Sequence, residues 1–181
     1  MEKYNIIFMG TPIFSVPPLE ILAKEHEISL VVTQPDRPKG RGKKMMPPPV
    51  KKRAVELGLE VVQPENMRDK AIMDKIKSLE PDFLVVVAFG HKLSKNILDI
   101  PKIYPINIHA SLLPKYRGSS PIQAAIMNRD LESGVTTMVM AEELDAGDIL
   151  MKSITSLAPD ETAATLHDRL SEMGAELILQ T

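Results

Sequence analysis

Residues 82–90 read DFLVVVAFG, and everything between Asp82 and Gly90 is apolar. A run this short and this continuous is the pattern of a strand covered on both faces, not of a half-exposed strand or a membrane span. Strands of that kind belong to parallel sheets, in which the crossover helices lie on both faces. Working outward, YNIIFMG (4–10) reads as a second buried strand, apolar from Ile6 to Met9 and ending at Gly10. SVPPLEILAKE (15–25) follows as a helix, with Ser15 as N-cap and its prolines in the first turn. ISLVVTQ (28–34) is a third strand, and helices are expected near 50–58 and over 67–78, with a brief strand EVVQ (60–63) between them.

Beyond residue 90 the alternation continues. A β-branched run over 103–109 predicts a strand and 120–128 a helix, while GVTTMVMA (134–141) and DILMKSIT (148–155) predict two further strands. Ala163, Leu166, Leu170, Met173 and Leu177 recur at spacings of three and four, which is one face of a closing helix. Strands alternating with helices define an α/β fold, a doubly wound and mostly parallel sheet, within a single domain over 1–181. In such sheets ligands bind beyond the carboxyl ends of the strands.

Composition narrows the classes. Apolar residues make up 44% and charged residues 25% of the 181, the balance of a chain with a real core. Cysteine is absent, which removes disulfide scaffolds and cysteine metal sites and fits a reducing compartment. No apolar run approaches the ~20 residues of a membrane span. The first strand begins so early that no leader peptide is expected, and a cytoplasmic location is the expectation. The chain stops at Thr181 with no terminal signal, so a longer parent protein is equally in view.

Net charge is −2 but unevenly placed. From Arg37 to Arg53 there are eight Lys or Arg and no Asp or Glu, leaving 14 basic against 24 acidic residues elsewhere, a balance of −10. A basic segment on an acidic body points to local contact with a polyanion, against the plainer reading of a solvated charged loop. Prolines 35, 38 and 47–49 limit its freedom, and Met45 and Met46 would be odd exposed residues unless they met something apolar.

The 103–109 strand carries the chemistry. Asn107 and His109 are two apart, so a strand points both to one face, at the carboxyl end of the run. The plain reading is a pair of hydrogen-bonded polar residues at a strand end. A third candidate is Asp145 in EELDAGDI (142–149), a glycine-containing loop that could reach the same sheet edge, and whose plain reading is a turn aspartate. An amide, an imidazole and a carboxylate together suit acyl transfer: one group steadies an oxyanion, one shuttles protons, one orients the shuttle. No serine or cysteine is required when the substrate supplies the nucleophile. The first strand-to-helix turn, MGTPIF (9–14), has one glycine where a dinucleotide fingerprint has three, and no phosphate loop is present, so NAD and ATP are not expected.

NIHASLLPKYRGSSPIQ (107–123) together with LDAGDIL (144–150) resembles the folate-dependent formyltransferase family. MGTPIFSVPPLEIL (9–22) and TQPDRPKGRGKKMMPPPVK (33–51) are similar to the branch whose acceptor is a tRNA, and the resemblance spans essentially the whole chain. It implies a Rossmann-like formyltransferase fold, 10-formyltetrahydrofolate as donor, no metal, and methionyl initiator tRNA as acceptor for translation initiation. It implies catalytic roles for Asn107, His109 and Asp145. The folate pocket carries over onto Ser111, Leu112, Leu113, Pro114, Phe89, Leu93, Ala141 and Glu142. The basic loop at about 34–53 becomes the tRNA contact, through Arg37, Lys39, Arg41, Lys43 and Lys44, with Arg41 at its centre. A monomer is expected. Family members normally continue into a second, β-barrel domain, which is not expected within these 181 residues. Rival readings are a formyltransferase with a small amine acceptor, a formyltetrahydrofolate hydrolase, and a non-catalytic RNA-binding module. The basic loop argues against the first two and the complete polar trio against the third.

Overall fold

A computed structural model describes residues 2–39 and 44–181. In chain order the elements are β1 (Asn5–Gly10), a 3-10 turn (Ile13–Ser15), α1 (Val16–Glu25), β2 (Glu27–Val32), β3 (Arg37–Lys39) and β4 (Lys44–Met46). Then come α2 (Pro49–Glu56), β5 (Val61–Val62), α3 (Lys70–Ser78), β6 (Phe83–Val87), α4 (Lys95–Leu98) and β7 (Tyr104–His109). The chain closes with α5 (Pro121–Met127), β8 (Glu132–Val139), β9 (Ile149–Ser156) and α6 (Ala163–Gln180).

One seven-stranded sheet runs in the order β5-β2-β1-β6-β7-β8-β9. The strands from β5 to β7 pair in parallel, whereas β8 and β9 are antiparallel additions. The expected doubly wound, mostly parallel sheet is therefore present. Alternation splits the strands between two apolar layers. Ile6, Phe8, Val31, Val85, Ile106 and Ile108 face α1, α2, α5 and α6, and the intervening Ile7, Met9, Leu30, Val32, Leu84 and Val86 face α3 and α4. Both layers bury their side chains almost completely, and apolar burial at about 25 cal/mol per Å² is what holds sheet and helices together.

Several boundaries differ from the sequence reading. The 82–90 strand ends at Val87, because Ala88 (φ 45°) and Gly90 (φ 83°) turn the chain off the sheet. Ser15 does occupy the N-cap position of α1, but its hydroxyl donates to the Val87 carbonyl at 2.6 Å and makes no cap hydrogen bond. The helix expected over 67–78 begins only at Lys70, where the Asp69 side chain accepts from the Ala71 N–H. EVVQ contributes two residues to the sheet edge, and the short helix α4 was not foreseen. Among the described residues no helix is long and apolar enough to cross a membrane.

Candidate active site

Asn107 and His109 lie on the face of β7 opposite to Ile106 and Ile108, and so on the face that α3 and α4 cover elsewhere in the sheet. That apolar cover reaches β2, β1 and β6 but includes no β7 side chain, so the two polar residues stand where the helical layer ends. Asn107 is half-buried and His109 is 6% exposed.

The imidazole is held from both sides. Its Nε2 lies 2.9 Å from the Tyr116 carbonyl oxygen, which can only accept, so this nitrogen carries a proton. Its Nδ1 faces Asp145 Oδ2 at 3.7 Å, so a second ring proton would point at the carboxylate. Asp145 is itself buried, sits at φ 51° and accepts the Gly118 N–H at 2.8 Å through the same Oδ2. Left-handed backbone is unusual for most residues, and aspartate is among those that tolerate it. One turn, 116–118, therefore fixes both partners: its carbonyl orients His109 and its N–H orients Asp145. Gly118 makes that turn at φ 102°, a conformation L side chains rarely adopt.

Asp145 arrives by an unexpected route. His109 pairs with Thr136 and Ile106 with Val139, so β8 runs back toward the start of β7. The 140–148 loop thus leaves from the end of the sheet opposite to the carboxyl ends of the parallel strands. It reaches His109 by folding back across the sheet face, because the antiparallel strand reverses the edge that a βαβ argument assigns it.

The candidate donor-pocket residues divide in two. Phe89, Leu93 and Leu113 are core side chains with 4% exposure or less, and Phe89 and Leu93 share their cluster with Met140. Those segments can offer main-chain groups to a flat ligand; their side chains are occupied in packing. The Phe89 carbonyl already accepts from Thr11 Oγ1 and Gln34 Nε2. Ser111 is buried with its hydroxyl on the Lys115 carbonyl, and Leu112 is half-buried. Pro114 and Glu142 are exposed and Ala141 is too, and the Leu113-Pro114 peptide is cis. Two surface concavities, lined by Gln63, Glu65, Arg68 and Asp69 and by Lys77, Glu80, Asp99 and Lys102, lie away from the polar trio.

Sequence reasoning missed Thr136, whose hydroxyl donates to the Ser111 carbonyl at 2.7 Å and accepts from the Leu113 N–H at 3.1 Å. The signal in the sequence was a threonine pair inside the apolar run GVTTMVMA, one member on each face, and both prove fully buried. It also missed Tyr116 and Gly118, which act through backbone atoms that no motif reveals. Among the described residues no group of three or more His, Asp or Glu could hold a metal ion.

Within the basic segment the described residues include two short strands. β3 and β4 pair as a two-stranded antiparallel hairpin, Arg37 opposite Met46 and Lys39 opposite Lys44. Arg37 and Lys44 are exposed, as are Met45 (60%) and Met46 (49%). Arg41 and Lys43 lie outside the described residues. The expected absence of compensating acids holds in sequence but not in space. Lys51 bridges Asp36 at 2.8 Å, and Arg53 meets Glu20 at 2.5 Å and Glu56 at 2.9 Å. Those two cations brace α2 against its neighbours, whereas Arg37 and Lys44 on the hairpin and Lys52 on α2 stay exposed. The hydrogen bond from Lys51, then that from Gln63, holds the Asp36 carboxyl below its ordinary range.

The fold is a doubly wound sheet with a buried polar pair, His109 and Asp145, beside Asn107 on one face of β7. The formyl transferase family model matches residues 4–181, and the chain belongs to that family. It is 52% identical to the methionyl-tRNA formyltransferase of Moorella thermoacetica over 98% of this chain and 57% of that protein. The methionyl-tRNA formyltransferase of Geobacter sulfurreducens is also 52% identical, over 100% and 57%. The chain thus spans little more than half the length of these relatives. Among solved structures, phosphoribosylglycinamide formyltransferase from Streptococcus pneumoniae superposes with a TM-score of 0.80 at 18% identity, covering 99% of this chain and 96% of that one. The protein of that name from Anaplasma phagocytophilum gives 0.77 at 23%, covering 97% and 83%. At such identity the likeness speaks for the fold alone.

Proposed function

We propose that residues 1–181 form the catalytic domain of an enzyme that moves a formyl group from 10-formyltetrahydrofolate to the amino group of methionyl initiator tRNA in the cytoplasm. The observation that carries the chemistry is His109, held between the Tyr116 carbonyl and the Asp145 carboxylate. In this reading the uncharged amine attacks the formyl carbon and the Asn107 amide donates to the developing oxyanion. His109, its Nε2–H held on the Tyr116 carbonyl, turns Nδ1 to exchange a proton with Asp145. The bond from that carbon to the folate nitrogen then breaks, while the proton released by the amine is taken up by the Asp145–His109 pair and returned from it to the departing nitrogen. Every group needed is a proton carrier or a hydrogen-bond donor. His109 and Asp145 are buried, and groups removed from water act most strongly on developing charge.

The acceptor assignment is supported by the names of the half-identical relatives and by the exposed hairpin. Its cations suit phosphates and its methionines suit unpaired bases. Ser111 to Pro114, Phe89, Leu93, Ala141 and Glu142 are proposed to line the donor, largely through main-chain atoms, and Arg37, Lys39, Arg41, Lys43 and Lys44 to meet the tRNA. A small amine acceptor leaves the hairpin without a role.

Transfer of labelled formyl from the folate to methionyl-tRNA tests this reading, with a glycinamide nucleotide offered in parallel. His109→Ala and Asn107→Ala should each slow turnover roughly 10²-fold or more. Transfer only to the small amine would sink the tRNA assignment, and near-normal turnover in either variant would sink the catalytic one.

A further inference from the structure

The carbonyl that orients His109 belongs to Tyr116, and its direction is set by a backbone at φ 58°. A bulky residue is disfavoured in that region, so the conformation persists only if its surroundings enforce it. Contacts able to enforce it lie at the far end of the side chain. The Tyr116 hydroxyl donates to Asp130 Oδ2 at 2.8 Å and accepts from Asn128 Nδ2 at 2.8 Å. Both partners follow α5 directly, where Arg129, at φ 51°, turns the chain. Lys115 Nζ reaches the same Asp130 oxygen at 2.8 Å and lies 4.9 Å from the centre of the Tyr116 ring. The Lys115 ammonium first, and the phenol to a lesser extent, hold the Asp130 carboxyl below its usual range, so it stays an ionised acceptor.

No step of the proposed reaction touches the phenol, and anchoring the ring by packing alone would need no hydroxyl. Yet the turn it governs faces the catalytic pair twice, through the Tyr116 carbonyl on His109 and the Gly118 N–H on Asp145. We propose that the Tyr116 hydroxyl, tethered to Asp130 and Asn128, is the positioning group that fixes the tautomer and direction of the His109 imidazole. This rests on the reading of His109 as catalytic, but the tether itself is a statement about the ring and is measurable without turnover.

The test is 15N NMR of histidine-labelled protein, at a pH where the ring is neutral, for the wild type, Tyr116→Phe and Asp130→Leu. The wild type should show His109 as one tautomer with the proton on Nε2. Both variants should show a mixture, and Tyr116→Phe should lower kcat roughly tenfold with little change in KM for the folate, the pattern of an interaction that matters in the transition state. A wild-type His109 signature in either variant overturns the tether, since a general fall in stability would not preserve the tautomer in one and is not what the isosteric Tyr116→Phe change brings about. A mixed tautomer in both variants, with a wild type that transfers no formyl group, would keep the tether and overturn the proposed reaction instead.

Discussion

Thr136 stands directly opposite His109 across the β7–β8 pair, and its hydroxyl closes a double hydrogen bond on the loop that follows His109. It donates to the Ser111 carbonyl and accepts from the Leu113 N–H, so one fully buried side chain on an antiparallel strand pins the first turn of that loop. The second turn of the same loop, 116–118, then reaches back to His109 and Asp145.

Thr136→Val keeps the shape and removes the hydroxyl, leaving a carbonyl and an N–H without their partner. Each group left unpaired should cost about 1–3 kcal/mol. Urea unfolding should show the drop, and Thr136→Ser should recover most of it. Equal stability of the valine variant would mean that the loop is held by something other than this hydroxyl.

Gly147 sets the path of the Asp145 loop. A Cβ there would stand 1.8 Å from the Val139 carbonyl oxygen, a clash with backbone that no side-chain movement relieves. Gly147→Ala should therefore shift the loop and carry the Asp145 carboxylate away from His109. Since misplacement by about 1 Å can cost 10²-fold in rate, turnover should fall by roughly that factor. Kinetics that match the wild type would show that the loop tolerates a second register.

For the hairpin, Arg37→Ala combined with Lys44→Ala should weaken tRNA use while leaving folate affinity alone. Each phosphate interaction removed should flatten the salt dependence of binding by about 0.7 for a single strand or 0.9 for a duplex. Binding measured between low and moderate salt checks this. An unchanged slope would return the hairpin to the status of a solvated charged ribbon.

Acid should unpick the Asp36 and Asp130 pairings in a defined window. Both carboxyls are held below their ordinary range by lysine partners, Lys51 and Lys115 respectively. A depressed folded-state pKa gives stability that is complete above the unfolded value, about 3.9, and is lost as pH falls through the folded value. Asp36→Asn and Asp130→Asn should therefore be less stable than the wild type by a constant margin from pH 7 to about 5, with the gap closing below about 4. A margin that persists unchanged into stronger acid would rule out the ion pairs as its source.

The sequence by itself determined the class of fold and nominated the polar trio. The uninterrupted Phe83–Phe89 run, the alternation of strand and helix patterns, and the two-residue spacing of Asn107 and His109 are local facts. Side-chain period follows from backbone geometry alone, so one residue's neighbours in sequence suffice to place it on a face. The same holds for the apolar stripe of α6, where Leu166, Leu170 and Leu177 are all buried as its spacing requires. Asp145 could be nominated because its residue type and its glycine-containing setting are visible.

What only the tertiary structure decided is how those residues meet. That β8 turns antiparallel, and so sends Asp145 back across the face instead of out from the carboxyl edge, depends on strand pairing between segments about 30 residues apart, which no local pattern encodes. The N-cap bond expected of Ser15 does not form because a carbonyl from β6, distant in sequence, offers its hydroxyl a better partner. Lys51 and Arg53 looked free because their acids, Asp36 and Glu20, lie across the fold as well as along it. The roles of the Tyr116 carbonyl and the Gly118 N–H were invisible for a plainer reason. Every residue has a carbonyl and nearly every one an N–H, and only the folded chain aims them.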